Sequence, residues 1–117
     1  MLRFWRATIN SRNGLAFAIR SEQAIREELI ALALAVPLAF LVGATAMRRV
    51  ELIAVVVLVL VVELLNTAIE KLADRLTTEQ DPQIGRVKDM GSAAVGVALA
   101  MAGLFWLFAL GERVGLL

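Results

Sequence analysis

"VELIAVVVLVLVVELLNTAI", residues Val50 to Ile69, decides how this chain folds. Its length suits one helical crossing of a bilayer, which needs ~20 predominantly apolar residues, yet Glu63 interrupts the aliphatic run. Two further runs carry no charge at all: Leu29 to Met47, between Glu28 and Arg48, and Met90 to Gly111, between Asp89 and Glu112. The expected architecture is an all-α membrane protein with three transmembrane helices, residues 29–47, 50–69 and 90–111, forming one integral-membrane domain over residues 1–117. Pro37 sits inside the first span, where a neighbouring helix can satisfy the carbonyl it frees. The third is rich in small residues, including Gly91, Ser92, Gly96 and Gly103, which suits close helix contact.

Composition agrees with a membrane setting and narrows the chemistry. Of 117 residues, 60% are hydrophobic, mean hydropathy is +0.78, and Cys and His are absent. Disulfides, thiol nucleophiles, imidazole bases and the usual zinc ligands are therefore excluded, leaving carboxylates, amides, hydroxyls and cations to do any chemistry. A net charge of +1 argues against a general nucleic-acid binder.

Residues 1–28 alternate apolar and charged side chains at roughly helical spacing, with Phe4, Trp5, Ile9, Leu15, Phe17 and Ile19 available to one side. This pattern predicts an amphipathic helix lying in the membrane interface, with a break at Asn13-Gly14. It lacks the uninterrupted apolar core of a signal peptide, so the segment is expected to stay on the protein. Nine of the twelve Lys and Arg residues lie in this segment and in the loop between the second and third spans. By the positive-inside rule, the N-terminus and that loop face the cytoplasm.

On a helix turning about 100° per residue, Glu63, Asn66, Thr67, Glu70 and Asp74 fall on one stripe. Glu63 lies six residues short of Ile69, ~9 Å inside the membrane end at 1.5 Å per residue. A carboxylate there is costly unless protonated, paired or metal-bound, which makes it a functional candidate. The plain alternative is a protonated Glu bonded to a neighbouring helix, and Glu70 at the interface could simply be solvated. Facing the same side are Glu22, Glu27 and Glu28 in "SEQAIREE" and Arg86, Lys88 and Asp89 in "GRVKDMGSAAV". Carboxylates from two helices beside a Lys suit Mg²⁺ and phosphate. Lys88-Asp89 reads equally as an ordinary basic flank of a span.

"ELLNTAIEKLADR" followed by "GRVKDMGSAAV", with "SRNGL" and "SEQAIREE" upstream, resembles the signature of the prokaryotic diacylglycerol kinase family, and the resemblance runs along nearly the whole chain. It implies a homotrimeric integral-membrane lipid kinase that uses ATP and Mg²⁺ to phosphorylate diacylglycerol at the cytoplasmic face of the bacterial inner membrane. Residue by residue, it implies that Glu63 is the catalytic base and Asn66 its polar neighbour, and that Glu22 and Glu70 are the metal-binding carboxylates. Lys88 and Asp89 match the nucleotide-contacting pair, joined in the ATP site by Arg3, Asn10, Glu79 and Asp81. Arg3, Arg49, Ser92 and Trp106, with Glu63, match positions associated with the lipid substrate. One departure is Arg12 before "NGL", where the enterobacterial form has an aromatic residue; it bears on lipid contacts from the surface helix. Consistently, the chain has no Walker A motif and no protein-kinase loop set.

Undecaprenol kinase is the nearest alternative, because residues that handle ATP and a hydroxyl do not discriminate the two lipids. From another class, a small proton-coupled transporter subunit could use Glu63 as its proton carrier. A basic loop beside carboxylates clustered at one face favours the kinase.

Overall fold

The computed structural model describes residues 1–77 and 79–117, and its secondary structure is entirely helical. Four helices follow in order among these residues: α1 (Leu2–Ser21), α2 (Gln23–Val42), α3 (Ala46–Leu76) and α4 (Pro82–Arg113). α3 is the central helix, packed against both α2 and α4, while α1 joins the bundle beside α2. The three long helices run antiparallel to their neighbours: Trp106 reaches Leu52 near one end of the α3–α4 pair, and Lys88 reaches Asp74 near the other.

α1 runs through Asn13-Gly14 without a break, contrary to the expected interruption there. A helical Gly costs only about 1 kcal/mol relative to Ala, too little by itself to end a 20-residue helix; Leu15, Phe17 and Ala18, just beyond it, line a cleft with Leu64 and Ala68 of α3. The break comes at Glu22, whose backbone is extended (φ −123°, ψ 116°). Arg26 stabilises this corner. Its Nη1 donates to the carbonyls of Ile19 (2.8 Å) and Arg20 (3.1 Å), two of the acceptors that every helix C-terminus leaves unpaired.

α2 closes at Val42, so its uncharged part is Leu29–Val42, and Gly43 begins a short turn. Gly43 is buried, and a Cβ there would collide with the side chain of Arg49 and the carbonyl of Ala39. Arg49 ties the turn by donating from Nε to the Gly43 carbonyl at 3.2 Å, and the Thr45 hydroxyl caps α3 by accepting from the Arg48 amide. Among the described residues two helices, α3 and α4, are long and apolar enough to cross a membrane. At 1.5 Å per residue the 31 residues of α3 extend ~46 Å, past a ~30 Å hydrocarbon layer. The helix is thus longer than such a layer is thick, and Glu70 and Asp74 lie in its last turns.

The loop between α3 and α4 is shorter than the polar sequence there suggests. α4 begins at Pro82, with Asp81 as N-cap accepting from the amides of Gln83 (2.8 Å) and Ile84 (3.4 Å). Proline at the first helical position follows the ordinary preference, since its missing N–H would have no helical partner. Lys88 and Asp89 thus sit on helix, in the second turn of α4.

The packed interior is narrow. Ala39, Leu52 and Ala109 are completely buried where α2, α3 and α4 meet, with Val42, Ile53, Phe105 and Trp106 against them. Large apolar residues such as Leu34, Leu41, Leu65, Val97, Leu104 and Leu107 point outward instead. This inversion, small residues inside and large aliphatics outside, is the pattern expected where the solvent is lipid.

Candidate active site

The polar stripe of α3 lies where α2 and α4 both approach it. Asn66 is its anchor: at 7% exposure it is the one polar residue buried among those described. Its Nδ2 donates to Glu70 Oε1 at 3.2 Å, one turn along the helix. The amide oxygen has no hydrogen-bond partner among the described residues. It points at Gly91 of α4, where an added Cβ would overlap it. A small residue on α4 therefore creates the space that the Asn66 amide occupies.

Glu63, one turn before Asn66, is half-buried, and the charged groups acting on it are Glu28, Glu70 and Glu22. The antiparallel α2–α3 pairing creates this grouping, setting the first turns of α2 beside the last apolar turns of α3. Burial raises the Glu28 carboxyl above the usual carboxylate range, and the neighbouring Glu27 charge adds to the shift. Glu22, at the α1–α2 corner, pairs through Oε1 with Lys71 Nζ at 2.7 Å. Lys71 also sits 5.2 Å from the centre of the Phe17 ring.

A second group adjoins the first toward the loop. Lys88 Nζ meets Asp74 Oδ1 at 2.6 Å. Asp74, Thr77, Glu79, Asp81, Gly85 and Lys88 line an open cleft of ≈ 790 Å³, a volume in the range of small-molecule sites. Asp89 is exposed on the following α4 position.

Of the residues singled out in the sequence, Glu22, Glu63, Asn66 and Glu70 come together, with Glu79, Asp81 and Lys88 around the adjoining cleft. Arg3 and Asn10 lie exposed on α1, and Ser92 is exposed beside Gly91. Arg49 and Trp106 belong to the opposite end of the bundle. Trp106 Nε1 donates to the Leu52 carbonyl at 3.2 Å, fourteen residues or ~21 Å along α3 from Asn66. Near that end Arg48 joins α3 to α4 through Glu112 (Nε to Oε1, 2.8 Å) and also pairs with Glu51.

Two contributors were missed in the sequence, Lys71 and Gly91. Lys71 stands next to Glu70 in an interfacial basic flank, and its partner is distant in the chain. Gly91 was legible only as one small residue in a run of them.

The first group is a set of hard oxygen donors: four carboxylates and one unpaired amide oxygen. Among the described residues no three of these side chains converge into a cation cage. That donor chemistry fits Mg²⁺, which binds through one or two carboxylates while phosphate oxygens and water complete its shell.

A model of the prokaryotic diacylglycerol kinase family matches residues 9–110. The chain is similar to a diacylglycerol kinase of Escherichia coli, 44% identical over 105 residues that cover 90% of this chain and 86% of that protein. It is 40% identical over 100 residues to a diacylglycerol kinase of Haemophilus influenzae, covering 86% and 85% of the two chains. A diacylglycerol kinase of Pseudomonas aeruginosa is 41% identical over 104 residues, covering 89% and 85%. With its family matched over nearly its whole length and its carboxylates gathered beside the open cleft that Lys88 lines, the chain belongs to the prokaryotic diacylglycerol kinase family, a family of lipid kinases.

Proposed function

We propose that this protein transfers the γ-phosphoryl group of ATP to the hydroxyl of diacylglycerol, forming phosphatidate at the cytoplasmic face of the bacterial inner membrane. The observation that carries the reading is the stripe on α3: Glu63 half-buried at the end of the apolar run, Asn66 buried one turn on, and Glu70 hydrogen-bonded to Asn66 one turn further. A hydroxyl anchored in lipid and a nucleotide held in water can meet along such a stripe.

Glu63 removes the proton from the lipid hydroxyl as that oxygen attacks the γ-phosphorus, and ADP leaves in line. Its depth suits an acceptor that cannot leave the bilayer. Asn66 orients the reacting groups, while Lys88 offsets phosphate charge from the neighbouring cleft and Asp89, Glu79 and Asp81 border the nucleotide. Arg3 and Asn10 reach the nucleotide from α1. Glu22 and Glu70 are the carboxylates that would hold Mg²⁺, which when bound would neutralise charge on the phosphates. Arg3, Arg49, Ser92 and Trp106 are the remaining assignments toward the lipid.

The chain forms one membrane domain over residues 1–117, with α1 and the charged first turns of α2 (residues 1–28) at the surface and the uncharged remainder of α2 as a third crossing beside α3 and α4, assembled as a homotrimer. The uncharged part of α2 extends only ~21 Å over its fourteen residues, so its crossing requires the flanking Gly43–Thr45 turn or local thinning of the bilayer. The relatives' names favour diacylglycerol over undecaprenol as acceptor.

The test is phosphorylation in mixed micelles with Mg²⁺ and ATP, offering diacylglycerol and undecaprenol side by side to the wild type and to Glu63→Gln. Phosphatidate from the wild type alone supports substrate and base. Undecaprenyl phosphate as the main product replaces the acceptor, and no lipid phosphate at all overturns the reading.

A further inference from the structure

The two carboxylates assigned to the metal differ in what already occupies them. Glu70 accepts a hydrogen bond from the neutral amide of Asn66, whereas Glu22 is in a 2.7 Å ion pair with Lys71. Among the described residues, no other Lys or Arg makes an ion pair with Glu22, Glu28, Glu63 or Glu70. The two ends differ: Glu22 is half-buried, whereas the Lys71 side chain is exposed and can swing away. Glu22 is fixed at the corner where α1 turns into α2, and Lys71 extends from α3 with its ammonium beside the Phe17 ring and its stem along the apolar cleft beneath α1. The pair therefore joins the surface helix, the α1–α2 corner and α3 at the edge of the acid group.

A divalent cation on Glu22 and the Lys71 ammonium would share one carboxylate and stand only a few Å apart, so their like charges repel and metal binding is favoured when the ammonium moves away. We propose that Lys71 is a displaceable counter-ion for Glu22 and sets the affinity of this site for divalent metal. Four carboxylates without a cation would attract divalent ions indiscriminately. With Lys71 in place, a metal that brings its own phosphate ligands is favoured over the free ion, since only the former recovers the lost pairing. This rests on the assignment of Glu22 to the metal, and the experiment separates the two ideas.

Mn²⁺ is titrated into the detergent-solubilised full-length protein without nucleotide, and free Mn²⁺ is followed by its electron paramagnetic resonance signal. Lys71→Met is expected to bind Mn²⁺ about fivefold more tightly than wild type, the factor matching the upper range for partly exposed ion pairs. Lys71→Arg, which keeps the charge, should stay within about twofold of wild type. Lys71→Gln is read alongside Lys71→Met, so the result does not depend on one variant folding. Unchanged or weaker binding in both neutral variants overturns the proposal, as does an absence of Mn²⁺ binding in wild type and variants alike. Glu22→Gln supplies the separation. If it weakens Mn²⁺ binding while the neutral Lys71 variants leave it unmoved, only the counter-ion role falls; if it changes nothing, the metal assignment of Glu22 falls too.

Discussion

The amide oxygen of Asn66 on α3 occupies the space that a side chain at Gly91 on α4 would fill. Two helices approach closely here because one contributes no Cβ, and the residue that benefits holds Glu70 through its other amide atom. Substituting Gly91→Ala should push the Asn66 amide aside and disturb Glu70 with it. The expected result is a kcat lower by roughly 10- to 100-fold, the scale on which small displacements of positioned groups act. In an Asn66→Ala background the same change should cost little further activity; steady-state rates of the two single variants and the double variant check this non-additivity.

Glu63→Gln keeps the size of the side chain and removes its basicity. Lipid phosphorylation should fall by about 10²- to 10⁴-fold, the usual range for a general base. Far-UV circular dichroism and elution volume should match wild type, because Glu63 makes no ion pair within its own chain among the described residues.

Stability should depend on the small contact cluster at the other end of the bundle. Leu52 is fully buried between Ala39 and Ala109, so Leu52→Ala opens a cavity and should cost about 2–5 kcal/mol. A clear drop in midpoint on thermal denaturation in detergent is the readout, with kcat near wild type well below that midpoint. Little change in the midpoint would mean that this junction does not hold the three helices together.

The pH behaviour of Glu28 has a defined sign. Burial raises its carboxyl above the ordinary value of 4.5, so the folded state holds that proton more tightly than the unfolded chain does. Burial of the charged form therefore costs stability above the folded-state value, and the cost disappears as pH falls toward 4.5 and below. Glu28→Gln should stabilise the protein at neutral pH, with the gain in melting midpoint shrinking to nothing in acid. Midpoints of both proteins measured between pH 4 and 8 check the sign, and a gain that grows on acidification contradicts it.

The long helices and the polar stripe were legible in the sequence because both are properties of local periodicity. Uninterrupted apolar runs force backbone hydrogen bonding inward wherever lipid is the solvent, and 3.6 residues per turn set Glu63, Asn66, Glu70 and Asp74 on one side whatever surrounds them. The helix ends were less legible. Asn13-Gly14 resembles a break in composition yet stays helical, whereas the actual break at Glu22 is held by Arg26 reaching back to two carbonyls of α1.

The sequence by itself determined an all-helical, lipid-suited chain with carboxylates gathered toward one end, and its motifs carried the family. Only the tertiary structure decided which groups meet: Glu22 with Lys71, Lys88 with Asp74, Asn66 with Gly91, and Arg49 and Trp106 well away from all of them. The physical reason is that periodicity assigns a face to each residue along its own helix, while pairings between helices depend on the axial offset at which they pack. That offset is set by small residues such as Ala39, Gly91 and Ala109, and by corners such as Glu22 and Gly43.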